Sequence, residues 1–406
     1  MIPKTICILE NGLFQSFAHR MARDFDRVLY WKPWVTSFSH PNDRYTGTGY
    51  EGIERVDSWL EHIDEVDVWA FPDIGYAPEQ AYLRSLGKQV WGAGYGEELE
   101  LLRGETKELM EDVGLPVQPW EWLTGMKSLR QFIKKNPGWH VKVSTTRGLT
   151  ESFHAIDYDL VKPKLDSLEH ELGGRAEVQE FIVEEGIDGI ESGYDGFFVG
   201  DFPKTAQVGI EVKDAGFLCA LLPYARIPKE VREVNDKLKP TLQKYGYTGS
   251  FSTEVRINKG KGYCIDFTCR SASPAGETMQ ELFLNYGEIV EAVSRGELVE
   301  PVIKDKFAAQ AMLTSSFADE NWLPIEIPKE IRNQVKLYHS CMVGDQEFII
   351  PGEYDMAEIG SVVATGRTID EAIKKVGEYA EQVKAFGLKC RTDVLEGAKA
   401  DLLKTI

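Results

Sequence analysis

The chain has 406 residues, 43% of them hydrophobic and 27% charged, which excludes a disordered chain and leaves room for two or three packed units. Its formal charge of −19 argues against nucleic acid as a partner, because tracking a phosphate backbone rests on clustered Lys and Arg. No stretch approaches the roughly 18 consecutive apolar residues of a membrane span, and MIPKTICILENG lacks a basic region followed by an apolar run, so a cytoplasmic protein without a membrane partner is expected.

Residues 5–10, TICILE, read as a buried strand. Phe14, Phe17, Ala18 and Met21 then fall at helical spacing before a second strand, RVLYW, so the chain opens as a βαβ unit. Strands VDVWAF and QVWGAG, with a helix-like segment between them, continue the alternation and predict a small parallel-sheet domain over residues 1–104. From residue 105 the pattern turns to α+β: a helix at GETKELMEDVG, a strand at GWHVKVS, a helix over 157–172, then strands AEVQEFIVEE and DGFFVGD. After Pro240 a short helix, TLQKYG, is expected, followed by two strands, SFSTEVRINK and GYCIDFTC, joined in a hairpin through Lys259, Gly260, Lys261 and Gly262. A last unit, 305–406, holds strand IGSVVATG and the amphipathic helix TIDEAIKKVGEYAEQVKAF with Thr368 as its N-cap.

The six cysteines lie scattered in mostly apolar segments without CxxC pairs, the pattern of reduced core thiols rather than a zinc site. There is no GxSxG elbow, no HExxH and no GxxxxGK[ST] motif, and none of the seven histidines has a ligand-spaced partner, which argues against serine and metal hydrolases. What remains is a set of residues suited to activating a carboxylate with ATP: lysines for phosphates, a hinge for adenine, an acid for ribose, and carboxylates for a metal ion. Lys107 begins a helix, and Lys142 sits in a strand between Val141 and Val143, which point to the opposite face. A lone lysine is ordinarily a solvated charge, but the flanking valines set Lys142 apart. The strand VQEFI, with Gln179, Glu180, Phe181 and Ile182, is the candidate adenine hinge, and Glu191 or the nearby Asp188 the candidate ribose acid. Glu254 and Asp266 fall one on each strand of the hairpin, where an unpaired charge is costly; their partners are metal ions or, on the structural alternative, Arg256 and Arg270.

The order Lys107, Lys142, VQEFI, Glu191, Glu254, Asp266, Arg270 is similar to that of the ATP-grasp superfamily. More closely, WGAGYGEELELLRGETKELMEDVGLPV and VATGRTIDEAIKKVGEYAEQVKAFGLKCRTDV resemble segments of the glycinamide ribonucleotide synthetase family, with Thr106 and Lys107 in place of its Ser-Lys pair and Arg391 and Asp393 in its last positions. The resemblance runs over nearly the whole chain. It implies an ATP-grasp fold of mixed α/β and α+β class: an N-terminal parallel-sheet domain (1–104), an ATP-grasp domain of two α+β subdomains (105–304), and a small C-terminal α+β domain (305–406). It also implies an ADP-forming carboxylate–amine ligase that uses ATP and Mg2+, or Mn2+ in its place, and passes through an acyl phosphate.

Carried over by position, the resemblance puts Lys107 and Lys142 on the phosphates, the 179–182 backbone on adenine, Glu191 on ribose, and Glu254 and Asp266 on the metal. Thr268 stands where the superfamily has a metal-binding Asn, and Arg270 or Arg256 is the candidate for stabilising the anionic intermediate. The family's glycine-rich phosphate lid is replaced by STTRGLTESF, in which Arg147 is the candidate phosphate contact, and the loop 144–151 is expected to be mobile without nucleotide. The Gly-Gly-Arg-Glu-His and Gly-Asp-Pro-Glu signatures are replaced by ENGLFQSF and STEVRI, segments that in the family shape the amine pocket, so a changed acceptor is expected. Glycine, the family's carboxylate, is the candidate acid. The amine is open, a sugar amine, an amino acid or an amine on a modified nucleotide, as is the oligomeric state. Glu211, Lys213, Asp214 and Glu277 are further candidate substrate contacts. Two rivals stand: a true glycinamide ribonucleotide synthetase with drifted motifs, and an ATP-binding regulatory protein without catalysis.

Overall fold

The structure, a computed structural model, describes residues 1–33, 44–145, 152–352 and 358–406. The N-terminal strands β1 (Ile2–Leu9), β2 (Phe25–Trp31), β3 (Ile53–Arg55), β4 (Val68–Ala70) and β5 (Gln89–Trp91) form a parallel sheet in the order β3-β2-β1-β4-β5, with α1 (Gln15–Met21) and α2 (Ala77–Ser85) on the connections. Ile6, Cys7, Ile8 and Leu9 are all fully buried, as expected where a parallel sheet is covered on both faces.

Two short helices, α3 (Glu98–Leu101) and α4 (Arg103–Asp112), lead into a small lobe. In it β6 (Trp120–Thr124), β7 (Trp139–Val143), β8 (Ser152–Ala155) and β9 (Glu180–Glu185) form an antiparallel sheet ordered β6-β9-β7-β8. Helices α5 (Met126–Lys135) and α6 (Tyr158–Leu172) cover one face, closing a core around Leu129, Ile133, Val141, Val143, Leu165 and Phe181. Strand alternation sends Lys142, His140, Ile182 and Glu184 to the other face.

That face looks onto a nine-stranded sheet. Strands β10 (Ile190–Val199), β11 (Thr205–Val212), β12 (Gly216–Pro223), β13 (Thr248–Asn258), β14 (Lys261–Thr268) and β15 (Phe307–Thr314) are ordered β14-β13-β10-β11-β12-β15, continued by Glu358–Gly366 and Val335–Leu337, and the ninth, Lys389–Cys390, pairs with the end of β15. The expected break at residue 305 does not interrupt it, for β15 pairs with β12 from Phe307 to Ala311. Helix α7 (Lys229–Tyr245) packs behind β13 and β14 and runs through Pro240, where only a short helix beginning after the proline is expected from the sequence. An internal proline costs about 3 kcal/mol, but Val231, Val234, Leu238 and Leu242 are at most 1% exposed, and burying each is worth about 1.5–3 kcal/mol. The stripe wins. The β13–β14 turn places Lys259 at φ 49° and Gly260 at φ 73°, the two left-handed positions of a two-residue hairpin. Helices α8 (Ala275–Leu282) and α9 (Tyr286–Ser294) fill the space between the large sheet and the parallel sheet. Toward the C-terminus, Ile369–Ala380 forms the expected helix, with Glu371 N–H donating to Thr368 Oγ1 at 3.2 Å. Among the described residues no helix is long and apolar enough to cross a membrane.

Candidate active site

Helix α4 approaches the inner face of the small lobe closely because Gly104 has no side chain; a Cβ there would sit 2.7 Å from the Trp122 ring on β6. This contact brings Lys107, 3% exposed, to Glu184 of β9, Nζ to Oε2 2.6 Å. Lys142 of β7 reaches the other oxygen of the same carboxylate at 3.1 Å and stands 3.7 Å from Asp266 Oδ2 on β14. Its ammonium also donates to the Ile265 carbonyl. That carbonyl is available because β14 bulges there: Glu254 pairs with Asp266 and Val255 with Cys264, leaving Ile265 outside the register. Arg103, Lys107, Lys142, Ile182, Ile265 and Asp266 thus line one cavity.

The two lysines share a carboxylate yet move in opposite directions. Burial pulls the Lys107 ammonium below its ordinary value, and Glu184 recovers only part of the loss. Burial opposes Lys142 too, but Glu184 and Asp266 together outweigh it and raise its pKa. The second carboxylate makes the difference. Glu184 itself is held below the usual carboxylate range, burial being outweighed by Lys142 and Lys107. Two ammonium groups gathered around one buried acid form a cradle whose charge suits polyphosphate.

Glu254 lies directly across the ladder from Asp266 on one side and from Gly193 of β10 on the other, so its direct β10 partner has no side chain. Among the described residues its carboxylate has no hydrogen bond or ion pair. Burial first, then the charges of Asp266, Glu211 and Glu191, push it well above the ordinary value, with Lys142 pulling the other way. A divalent cation would relieve that crowding. No group of three or more His, Cys, Asp or Glu is placed to cage a metal among the described residues, so the donor set fits Mg2+ only where phosphate oxygens complete the shell, which is the usual way Mg2+ is held. Thr268 lies two residues beyond Asp266, opposite Ser252 on β13.

Other expected residues fall elsewhere. The backbone of Glu180, Phe181 and Ile182 belongs to the central strand of the lobe, paired with β6 on one side and flanked on the other by β7 and Ser144, and is not exposed for adenine. Phe181 is a core residue under α5 and α6, whereas the Ile182 side chain does line the cavity. Gln179 is buried and its Nε2 donates to Ser144 O at 2.7 Å. The first stretch of chain past the ladder is 186–189, just beyond Glu184 and Glu185. Glu191 and Arg256, expected on ribose and on an anionic intermediate, face each other across β10 and β13 and form an ion pair. Arg270 is held against the N-terminal unit, Nε to Glu100 Oε1 3.0 Å, with its guanidinium 5.7 Å from the Phe14 ring centre. Arg147 and most of the loop 144–151 lie outside the described residues. Glu211, at the end of β11, has its carboxyl pushed up to about 7 by burial and by Glu191 and Asp195. Glu277 is 3% exposed and accepts from Ser361 Oγ at 2.6 Å, which closes it to substrate.

Arg103 and Glu184 do not emerge from the sequence reading. Arg103 is four residues before Lys107, hence on the same helix face, and Glu184 is two residues past Ile182, hence on the same strand face, so both were open to periodicity.

No protein-family model and no curated protein sequence matches the chain. Solved structures do. The phosphoribosylamine–glycine ligase of Thermotoga maritima superposes with a TM-score of 0.72 at 17% identity, covering 96% of this chain and 99% of that one. The biotin carboxylase domain of Hydrogenobacter thermophilus 2-oxoglutarate carboxylase, solved with MgADP, ADP and bicarbonate, gives 0.66 at 12% identity, with 97% and 93% covered. The N5-carboxyaminoimidazole ribonucleotide synthetase of Thermotoga maritima gives 0.59 at 14%, with 94% and 99% covered. All three are ATP-grasp enzymes. At these identities the likeness speaks for architecture alone, and the chain has the ATP-grasp fold.

Proposed function

We propose that the protein is an ATP-dependent, ADP-forming ligase that joins a small carboxylate to an amine. The observation that carries this reading is the Lys107–Glu184–Lys142 cluster beside the Glu254–Asp266 strand pair, two cations and an acid pair suited to phosphates and a metal ion, with Lys107, Lys142 and Asp266 lining one cavity. The fold shared with ligases of this type supports it.

In the proposed reaction the substrate carboxylate oxygen attacks the γ-phosphorus of ATP and ADP leaves, giving an acyl phosphate; the amine nitrogen then attacks the acyl carbon, a proton leaves the nitrogen, and phosphate departs. Lys107 and Lys142 hold the phosphates by trading Glu184 for phosphate oxygens, and they offset the charge that builds on the leaving ADP. Glu254, with Asp266 beside it, would hold Mg2+, which would supply charge neutralisation at the phosphates. The unladdered stretch 186–189 offers backbone N–H and C=O groups to the base in place of 179–182, and Ile182 gives it an apolar wall. Arg270, anchored by Glu100, is the guanidinium proposed for the tetrahedral anion, in preference to Arg256, which is paired with Glu191. Glycine is the first carboxylate to test, since the phosphoribosylamine–glycine ligase is among the structural neighbours.

The test is Mg-ATP turnover with glycine and a panel of small amines, resolving ADP from AMP, for the wild type and Lys142→Ala. ADP and phosphate that depend on both substrates and vanish in the variant support the ligase. AMP with pyrophosphate would falsify the acyl-phosphate route.

A further inference from the structure

Arg103 lies one helical turn before Lys107 on α4 and lines the same cavity. It is 6% exposed, and its Nη1 reaches both oxygens of Asp266, at 3.1 and 2.9 Å. Phe267 N–H donates to Asp266 Oδ1 at 2.9 Å, and Lys142 Nζ stands 3.7 Å from Oδ2. A carboxylate has about four lone-pair sites in all, so Asp266 is close to saturated by the protein's own donors. Glu254, its direct neighbour across the ladder, has no such partner among the described residues. One member of the acid pair is already neutralised by a fixed cation and the other is not. Phosphoryl-transfer sites that use two divalent ions place a separate carboxylate or amide ligand under each.

We infer that Arg103 stands in for a second divalent ion at Asp266, so that the site binds a single divalent ion per nucleotide, on the Glu254 side. This rests on the ATP-dependent reading above. Arg103 is thereby a positioning residue: it fixes Asp266, and through Asp266 the Lys142 ammonium, without touching the reacting atoms.

The probe is Mn2+, counted by the loss of the free-ion electron paramagnetic resonance signal as it is titrated into the full chain held in excess over a non-hydrolysable ATP analogue. The wild type is expected to take up about one Mn2+ per bound nucleotide, and Arg103→Leu a second, weaker equivalent at the vacated Asp266. Arg103→Lys keeps the charge and is expected to stay at one, which preserves the comparison where the leucine variant fails to fold. Two equivalents in the wild type overturn the inference while leaving the ligase reading intact. A single equivalent in a folded, nucleotide-binding Arg103→Leu, or a second one in Arg103→Lys, overturns it as well. Absence of nucleotide binding by the wild type overturns the ligase reading, and this inference with it.

Discussion

Glu277→Gln separates a buried structural acid from a substrate contact. The Glu277 carboxyl is pushed up to about 7, chiefly by burial, with Ser361, Lys336, Tyr338 and Gln310 opposing. A group whose folded pKa is raised contributes its stability below the unfolded value of 4.5 and loses it as pH rises through the folded value near 7. At 1.36 kcal/mol per tenfold change in proton affinity, the wild type loses about 3 kcal/mol between about pH 4 and about pH 8 through this carboxyl alone. Glutamine carries no charge at either end of that range and still offers an oxygen to Ser361. The stability of Glu277→Gln relative to wild type should therefore climb by about 3 kcal/mol across the range, read as the difference in urea midpoint multiplied by the slope at each pH. Nucleotide affinity at neutral pH should not move. Parallel pH profiles for the two proteins would refute the buried-acid account, and a large loss of nucleotide or carboxylate binding would return Glu277 to the substrate site.

Lys142→Ala removes the proposed charged phosphate contact, worth about 1.5–3 kcal/mol, so nucleotide affinity measured by calorimetry should fall by about 10- to 150-fold. Glu254→Gln should weaken Mn2+ uptake in the presence of nucleotide and yet raise the melting temperature of the nucleotide-free chain, because glutamine never carries the charge that burial, and then Asp266, Glu211 and Glu191, oppose at this position; a lower melting temperature would contradict this account. Burial holds His140, His19 and His339 below the ordinary histidine value of 6.5. The unfolded chain then binds more protons near that pH, so what these histidines contribute is full above about 6.5 and is lost as pH falls below it; a stability difference between wild type and His339→Gln that stayed constant from about pH 7 to about pH 5.5 would contradict this.

The sequence was most legible where one period dominated. Continuous apolar runs mark the parallel strands, alternation marks β7, which carries Lys142, and strand-forming residues on either side of a Lys-Gly-Lys-Gly turn mark β13 and β14, which carry Glu254 and Asp266. It was least legible where tertiary contacts set the outcome. VQEFIVEE reads as one strand, and only the pairing of β9 with β6 on one side and β7 on the other shows that the backbone near 180 is spent within the lobe. Pro240 reads as a helix boundary until α7 is seen to bury both flanking leucines. The Glu191–Arg256 pair depends on cross-strand register between segments 65 residues apart, which no local pattern carries. A unit beginning at 305 is expected from the sequence, yet the next strand, β15, completes a sheet begun far upstream.

In the small lobe, Glu185 N–H donates to Pro119 O at 2.9 Å, so the chain enters and leaves that lobe at neighbouring points. None of its four strands belongs to any other sheet. This is the arrangement of an insert spliced into a host at a single seam, the kind of unit that can be lifted out or exchanged without severing the host's backbone path. In evolutionary terms, the small lobe and the frame it is set into are then free to diverge at different rates.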